Sequence, residues 1–153
     1  MKQPKYAREY IGWTWSKRGR GTPELPGFDC WGFVCEIHAR EYGNQLPPFA
    51  TSYKTDGLPA DVFQQIVTSK EKWWERVEHA EEGDIVVFLV TLPDRKKYTH
   101  VGVMLNRSEF IHLDRHIDST ISRVDSNDWK NKLYGIFRVT RGGLVSDKAT
   151  APV

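Results

Sequence analysis

Cysteine, net charge and long apolar runs are all scarce in this chain. Two of its 153 residues are cysteines, and they lie so close in sequence that a helix would hold them on different faces, which excludes a disulfide framework. A net charge of +2 is too small to predict nucleic acid as a partner. No apolar run approaches the ~20 residues of a membrane span, and the N-terminus lacks the apolar core of a signal peptide. We therefore expect a protein made in the cytoplasm without a signal peptide, with no nucleic-acid partner and no membrane insertion.

The length and composition of the chain are those of one globular domain. Hydrophobic residues make up 39% and charged residues 27%, and the chain is long enough to bury a core. Helical patterns come first and β-branched runs later, which predicts an α+β fold with a mostly antiparallel sheet. The predicted strands are Ile85–Val90, His100–Leu105, Glu109–Leu113, Ile117–Val124 and Tyr134–Val139. Residues 1–141 would form the domain, and the small, polar segment 142–153 a flexible tail.

Three further segments carry predictions of their own. Leu58–Lys72 has apolar residues at helical spacing with a proline in its first turn, which predicts a helix. The loop Lys17–Pro26 contains three basic side chains, which either face water or meet an anionic substrate. Leu92–Tyr98 is expected to be a charged surface loop.

One cysteine lies where a helix is predicted to begin. Asp29 is a good N-cap residue, Gly43 a good helix terminator, and the stretch between them has an apolar stripe. Cys30 then falls in the first turn, where the helix dipole and free N–H groups favour a thiolate. The alternative is an inert, buried cysteine, which is what we expect of Cys35 in mid-helix.

Two histidines are predicted to share one face of a β-hairpin. If Asn106–Ser108 is the loop, Gly102 lies opposite His112. His100 lies two residues from Gly102 on the same strand, so its side chain points to the face that carries His112. Diagonal neighbours on one face are ~7–8 Å apart at Cα, which is close enough for two imidazoles to form a hydrogen bond.

A cysteine at a helix N-terminus, a histidine base and a residue that orients the base are the groups that nucleophilic acyl transfer needs. If the helix of Cys30 packs on the face that presents His100, this set is assembled. The alternative is that both histidines have structural roles in the sheet. His112, Asp114 and His116 also form a weak zinc pattern, but same-face side chains on one strand diverge, so we expect no metal and no other cofactor.

Four segments of the chain resemble motifs of the NlpC-like, papain-fold cell-wall peptidases. In order they are Phe28–Val34 (FDCWGFV), Glu82–Phe88 (EGDIVVF), Thr99–Met104 (THVGVM) and Phe110–Leu113 (FIHL), and the likeness extends over roughly residues 6–139. The resemblance implies a papain-like fold with Cys30 as nucleophile, His100 as base and His112 as its orienting partner. It also implies cleavage of peptidoglycan stem peptides, commonly between D-glutamate and a diamino acid.

The chain departs from the usual motif at two tryptophans. Trp31 follows the cysteine where the family usually has serine, and Trp15 stands near the place of an upstream tyrosine. We expect Trp15, Asp29 and Trp31 to contact the substrate. The Asp-Cys-Trp-Gly form is similar to the branch found in phage tail-tip proteins, which implies tail-tip proteins as partners and the virion as the location. The alternatives are an inactive structural tail-tip protein and a secreted amidase effector of the same fold.

Overall fold

A computed structural model of the chain describes residues 2–49, 58–60, 64, 73–91 and 93–140. The N-terminal part contains a short 3₁₀ helix, Lys5–Tyr10, and helix α1, Cys30–Ile37, which continues as a single π-helical turn, His38–Tyr42. The strands are β1 (Leu58–Pro59), β2 (Trp74–Val77), β3 (Ile85–Thr91), β4 (Lys97–Met104), β5 (Glu109–His112), β6 (Thr120–Arg123) and β7 (Leu133–Val139).

The strands of the described part form one antiparallel sheet. Six of them lie in the order β2-β7-β3-β4-β5-β6, and the two-residue strand β1 pairs with β4. Neighbours in sequence are neighbours in the sheet from β3 to β6, as a meander requires. The predicted α+β fold is therefore confirmed.

Asp29 starts helix α1 in the way the sequence predicts. Its carboxylate accepts a hydrogen bond of 2.7 Å from the backbone N–H of Gly32, and its carbonyl accepts one from Phe33. The same carboxylate oxygen lies 2.6 Å from the Arg20 guanidinium, and only 5% of the Arg20 side chain is exposed. Arg20 therefore does not belong to a solvated loop. It forms a buried ion pair that holds the N-cap in place.

Gly32 is required because the loop before α1 lies against the helix. A Cβ atom at this position would come within 2.0 Å of the Gly19 carbonyl oxygen. Any side chain would push the loop away from the helix and separate Arg20 from Asp29. The glycine of the Asp-Cys-Trp-Gly motif thus preserves the start of α1.

The two faces of the sheet carry different clusters of apolar side chains. Helix α1 packs on the face that contains Val101 and Val103, together with Val87 of β3. The opposite face carries a second cluster, which includes Phe88 and Phe110. Alternation along each strand sends neighbouring residues to opposite faces, which produces this division.

Several element predictions need correction. Leu58–Pro59 is a strand paired with β4, not the start of a helix, and most of the predicted helix Leu58–Lys72 lies outside the described residues. The sequence did not indicate β2, which pairs with β7. The predicted strand Ile117–Val124 is reduced to Thr120–Arg123, and β4 begins at Lys97, within the predicted loop. The segment 142–153 lies outside the described residues.

His38 is buried at the end of α1, and its imidazole is uncharged at pH 7. Its Nε2 donates a hydrogen bond of 2.9 Å to the Gly83 carbonyl, and its Nδ1 then accepts one from the Asn44 side chain. This ring is 2% exposed, and burial lowers the pKa of His38 to about 4. Protonation of this ring is therefore costly in the folded state.

We predict that this histidine makes the fold sensitive to acid between pH 6.5 and about 4. The pKa of His38 is lower in the folded state than in the unfolded state. The contribution of His38 to the free energy of unfolding is therefore complete above pH 6.5 and is lost as the pH falls towards 4. Between pH 7 and pH 4.5 the wild type should lose about 2.5 kcal/mol more unfolding free energy than His38→Gln, which can still donate to Gly83. Urea unfolding at the two pH values measures this. Equal losses in both proteins would contradict it.

Candidate active site

The β4–β5 hairpin brings His100 and His112 together in the predicted register. Gly102 lies opposite His112 and Met104 opposite Phe110, and the backbone N–H of Leu105 donates to the Glu109 carbonyl. The two imidazoles are 2.7 Å apart from His100 Nε2 to His112 Nδ1. The ring planes are almost perpendicular, at 81°, with centroids 4.9 Å apart. The remaining ring nitrogen of His100, Nδ1, is left for another partner.

Gly102 allows the two strands to approach closely at this point. A Cβ atom on it would lie 2.8 Å from the Ile111 carbonyl oxygen and 3.2 Å from the Cβ of His112. A larger residue would displace β5 and, with it, the His112 imidazole. The glycine of the Thr-His-Val-Gly motif therefore supports the contact between the two histidines.

Two residues that the sequence did not single out complete the surroundings of these rings. Ser122 Oγ lies 2.9 Å from His112 Nε2, so His112 has hydrogen-bond partners at both ring nitrogens. Trp129 stacks on His100, with ring centroids 5.1 Å apart and an interplanar angle of 19°. It also meets the edge of His112. Neither residue lies in a motif, and only the tertiary structure brings them to the site.

Cys30 lines the same cleft as the two histidines although α1 packs on the other face of the sheet. His100 pairs with Phe88 and shares its face, whereas Cys30 belongs to the cluster that includes Val101. The condition stated from the sequence, that α1 packs on the face of His100, is therefore not met. Strand β4 pairs with β3 along one edge. Along its other edge, β4 pairs with β1 up to Thr99 and with β5 from Gly102 onwards.

Between these two strands, the described part of the chain has no strand against His100 and Val101. The Cys30 sulfur is within hydrogen-bonding range of the backbone of Val101, next to His100 in sequence. The thiol therefore approaches β4 from the side, at the break in its pairing. From there it opens into the same cleft as His100.

Burial determines the charge states of the three groups. It raises the pKa of the Cys30 thiol to about 12, an effect that the Asp29 carboxylate reinforces and that the backbone groups of Val101 and Trp31 oppose. The expectation of a lowered thiol pKa is therefore wrong, because burial outweighs the helix N-terminus. Burial also lowers the pKa of His100 to about 4 and that of His112 to about 3. Without substrate the site holds a thiol and two neutral imidazoles.

A cleft of about 730 Å³ contains these groups. Trp15 lines it, with the Arg115 guanidinium 5.6 Å above its ring. Asp29 and Trp31 are not among the lining residues. Asp29 is buried in its ion pair, and the Trp31 side chain is 0% exposed and donates a hydrogen bond to the Pro47 carbonyl. The cleft also has charged side chains of both signs, namely Lys17, Asp94, Asp114, Arg115, Asp128 and Lys132.

The described residues contain no group of three side chains that could hold a metal ion. His112 has hydrogen-bond partners at both of its ring nitrogens, while His116 and Asp114 lie in the loop that follows β5. No helix in the described part is long and apolar enough to cross a membrane.

The fold and the cleft define an α+β domain in which a cysteine at a helix N-terminus shares one cleft with a pair of histidines. The chain belongs to the NlpC/P60 family, whose model matches residues 12–138. It is similar to the gamma-DL-glutamyl hydrolase of Bacillus subtilis (strain 168), with 28% identity over 86% of this chain and 27% of that protein.

Solved structures of the same family have the same fold. One is a lipoprotein-like NLP/P60 protein of Staphylococcus aureus Mu50, with a TM-score of 0.58 and 23% identity over 87% of this chain and 38% of that one. Another is an NlpC/P60 protein of Bacillus cereus ATCC 10987, with a TM-score of 0.54 and 19% identity over 90% and 41%. This chain thus spans less than half the length of each relative.

We predict that the alkylation rate of Cys30 in the free protein shows no plateau with pH of the kind that a stable thiolate would give. Because its pKa is raised and that of His100 is lowered, the rate of alkylation by iodoacetamide should rise continuously with pH above neutrality. Peptide mapping after timed alkylation separates Cys30 from Cys35. Cys35→Ala should show the same rate profile at Cys30. A plateau from pH 5 to 8 that disappears in His100→Ala would instead reveal a thiolate–imidazolium pair.

Proposed function

We propose that this chain is a cysteine hydrolase of peptidoglycan, with Cys30 as nucleophile, His100 as general base and His112 as the residue that orients the base. The observation that carries the proposal is the 2.7 Å hydrogen bond between the two imidazoles in the cleft that also contains the thiol. It leaves Nδ1 of His100 as the nitrogen that can take the thiol proton. Membership of the NlpC/P60 family supports the substrate class.

The reaction follows from these positions. The Cys30 sulfur attacks the carbonyl carbon of the scissile amide while its proton passes to His100 Nδ1. The first turn of α1 presents the positive end of the helix dipole, which favours the negative charge that develops on the carbonyl oxygen. His100 then protonates the leaving amine, and water, deprotonated by the same imidazole, hydrolyses the thioester. No metal is needed at any step.

We infer that the scissile bond joins D-glutamate to a diamino acid. The name of the Bacillus subtilis relative, gamma-DL-glutamyl hydrolase, supports a glutamyl substrate. The cleft supports it as well, because a stem peptide carries both carboxylates and amines and the lining has charges of both signs. Trp15 and Arg115 would form one wall of the substrate site, while Asp29 and Trp31 would act by fixing the position of Cys30.

Purified muropeptides test the activity and the bond together. Mass spectrometry should show a disaccharide dipeptide ending in D-glutamate and a free peptide beginning with the diamino acid. Cys30→Ala should abolish turnover, and His100→Ala should reduce it by roughly 10²–10⁴-fold, the usual contribution of a general base. Cys35→Ala is the matched control and should keep the wild-type rate, because Cys35 is absent from the cleft lining.

Other products would support other functions. Release of the whole stem peptide from the sugar would indicate the amidase alternative. Intact muropeptides with folded wild-type protein would indicate an inactive structural protein.

We propose further that the domain works in a phage tail tip, bound to tail-tip proteins, and reaches the cell wall with the particle. The Asp-Cys-Trp-Gly motif at residues 29–32 supports this placement by its similarity to that branch of the family. Mass spectrometry of purified virions from a phage that encodes the chain should detect it in a few copies per particle. Its absence from virions, with an immunity gene beside its own gene, would favour the secreted effector.

A further inference from the structure

The two histidines and Ser122 form a continuous chain of hydrogen bonds. His100 Nε2 lies 2.7 Å from His112 Nδ1, and His112 Nε2 lies 2.9 Å from Ser122 Oγ. Ser122 lies opposite Phe110, two residues from His112 along β5, so its side chain is on the face of the two imidazoles. It also lines the cleft.

A chain of two neutral imidazoles can run in either of two directions. In the first, His100 donates from Nε2 to His112, which donates from Nε2 to Ser122. In the second, Ser122 donates to His112, which donates from Nδ1 to His100, and the proton of His100 is then on Nδ1. Only the first direction leaves His100 Nδ1 bare and able to accept the thiol proton.

Protonation of His100 separates the two directions further. An imidazolium carries protons on both nitrogens, so its Nε2–H must find an acceptor. In the first direction His112 Nδ1 is that acceptor. In the second, two N–H groups would face each other across 2.7 Å. The charged form of His100 is therefore compatible with the first direction alone.

The indole of Trp129 contacts both imidazoles but does not decide between the two directions of the hydrogen-bond chain. It stacks on the His100 ring and meets the edge of His112, which holds the planes of both rings. What remains free is the location of the protons. A serine hydroxyl can accept the His112 proton, whereas an alanine at this position would leave a buried N–H without a partner.

We propose that Ser122 is a positioning residue that accepts the His112 Nε2–H and so fixes the tautomer of both histidines for proton transfer at Cys30. This role rests on the proposed function of the site. Ser122 does not touch the reacting atoms. It acts through His112 and His100.

Kinetics on muropeptides test the role. Ser122→Ala should lower kcat by about 10–100-fold, a loss like that caused at metal sites by removing the hydrogen-bond partner of a liganding histidine, and should leave KM unchanged. The imidazolium of His100 then loses its hydrogen-bond acceptor, which lowers the pKa of His100. The acid limb of kcat/KM should therefore move to lower pH. Ser122→Thr keeps the hydroxyl and should restore most of the rate.

Ser119→Ala is the matched control, because the hydroxyl of Ser119 also takes part in a hydrogen-bond network. Its Oγ accepts from the backbone N–H of Trp13 and donates to the Tyr10 carbonyl, away from the histidines. This variant should lower the melting temperature without moving the pH profile. The same unmoved profile in Ser122→Ala would overturn the proposal.

Long-range ¹H–¹⁵N spectra of the imidazoles give a readout that does not need turnover. At neutral pH, His100 and His112 should both be Nε2–H tautomers, and His112 should change to a mixture in Ser122→Ala. Wild-type tautomers in that variant, or an Nδ1–H tautomer of His100 in the wild type, would overturn the proposal. If muropeptides are not cleaved at all, the proposed function fails, and these spectra still decide what Ser122 does to the histidines.

Discussion

The register of the β4–β5 hairpin is the constraint on which the site depends. Side chains alternate between the faces of a strand, so a slip of one residue would move His112 to the face of α1 and break its hydrogen bond with His100. Asn106 holds the register, because its side-chain oxygen accepts from the backbone N–H groups of Ser108 and Glu109. Gly102 then lets the two strands come close enough for the imidazoles to meet.

A break in strand pairing solves a second geometric problem. The helix that carries Cys30 and the strand face that carries His100 lie on opposite sides of the sheet. A complete partner strand along β4 would separate them. Because β1 ends its pairing at Thr99 and β5 begins at Gly102, the thiol can reach the edge of β4 beside His100. The gap in strand pairing along β4 is therefore what allows the Cys30 thiol and His100 to share one cleft.

Local rules explain which parts of this site could be predicted from sequence. The N-cap role of Asp29, the pairing of Gly102 with His112 and the shared face of the two histidines follow from neighbours in sequence or across one hairpin. Ser122 and Trp129 could not be predicted, because they approach from a strand and a loop whose positions only the assembled sheet fixes. The pairing of Arg20 with Asp29 and the burial of the thiol are tertiary facts of the same kind. Helix position alone therefore gave the wrong direction for the pKa of Cys30.

The same burial explains why the hydrogen-bond chain matters. In a hydrated site, water would stabilise an imidazolium whatever its neighbours did. Here burial favours the neutral forms of Cys30 and His100. In the proposed mechanism, charge therefore separates only as the carbonyl oxygen of a bound substrate takes up the negative charge. At that moment the positive charge on His100 needs an acceptor that is already in place. His112 can be that acceptor without moving only if its own proton is held elsewhere, and Ser122 is the residue within reach that can hold it.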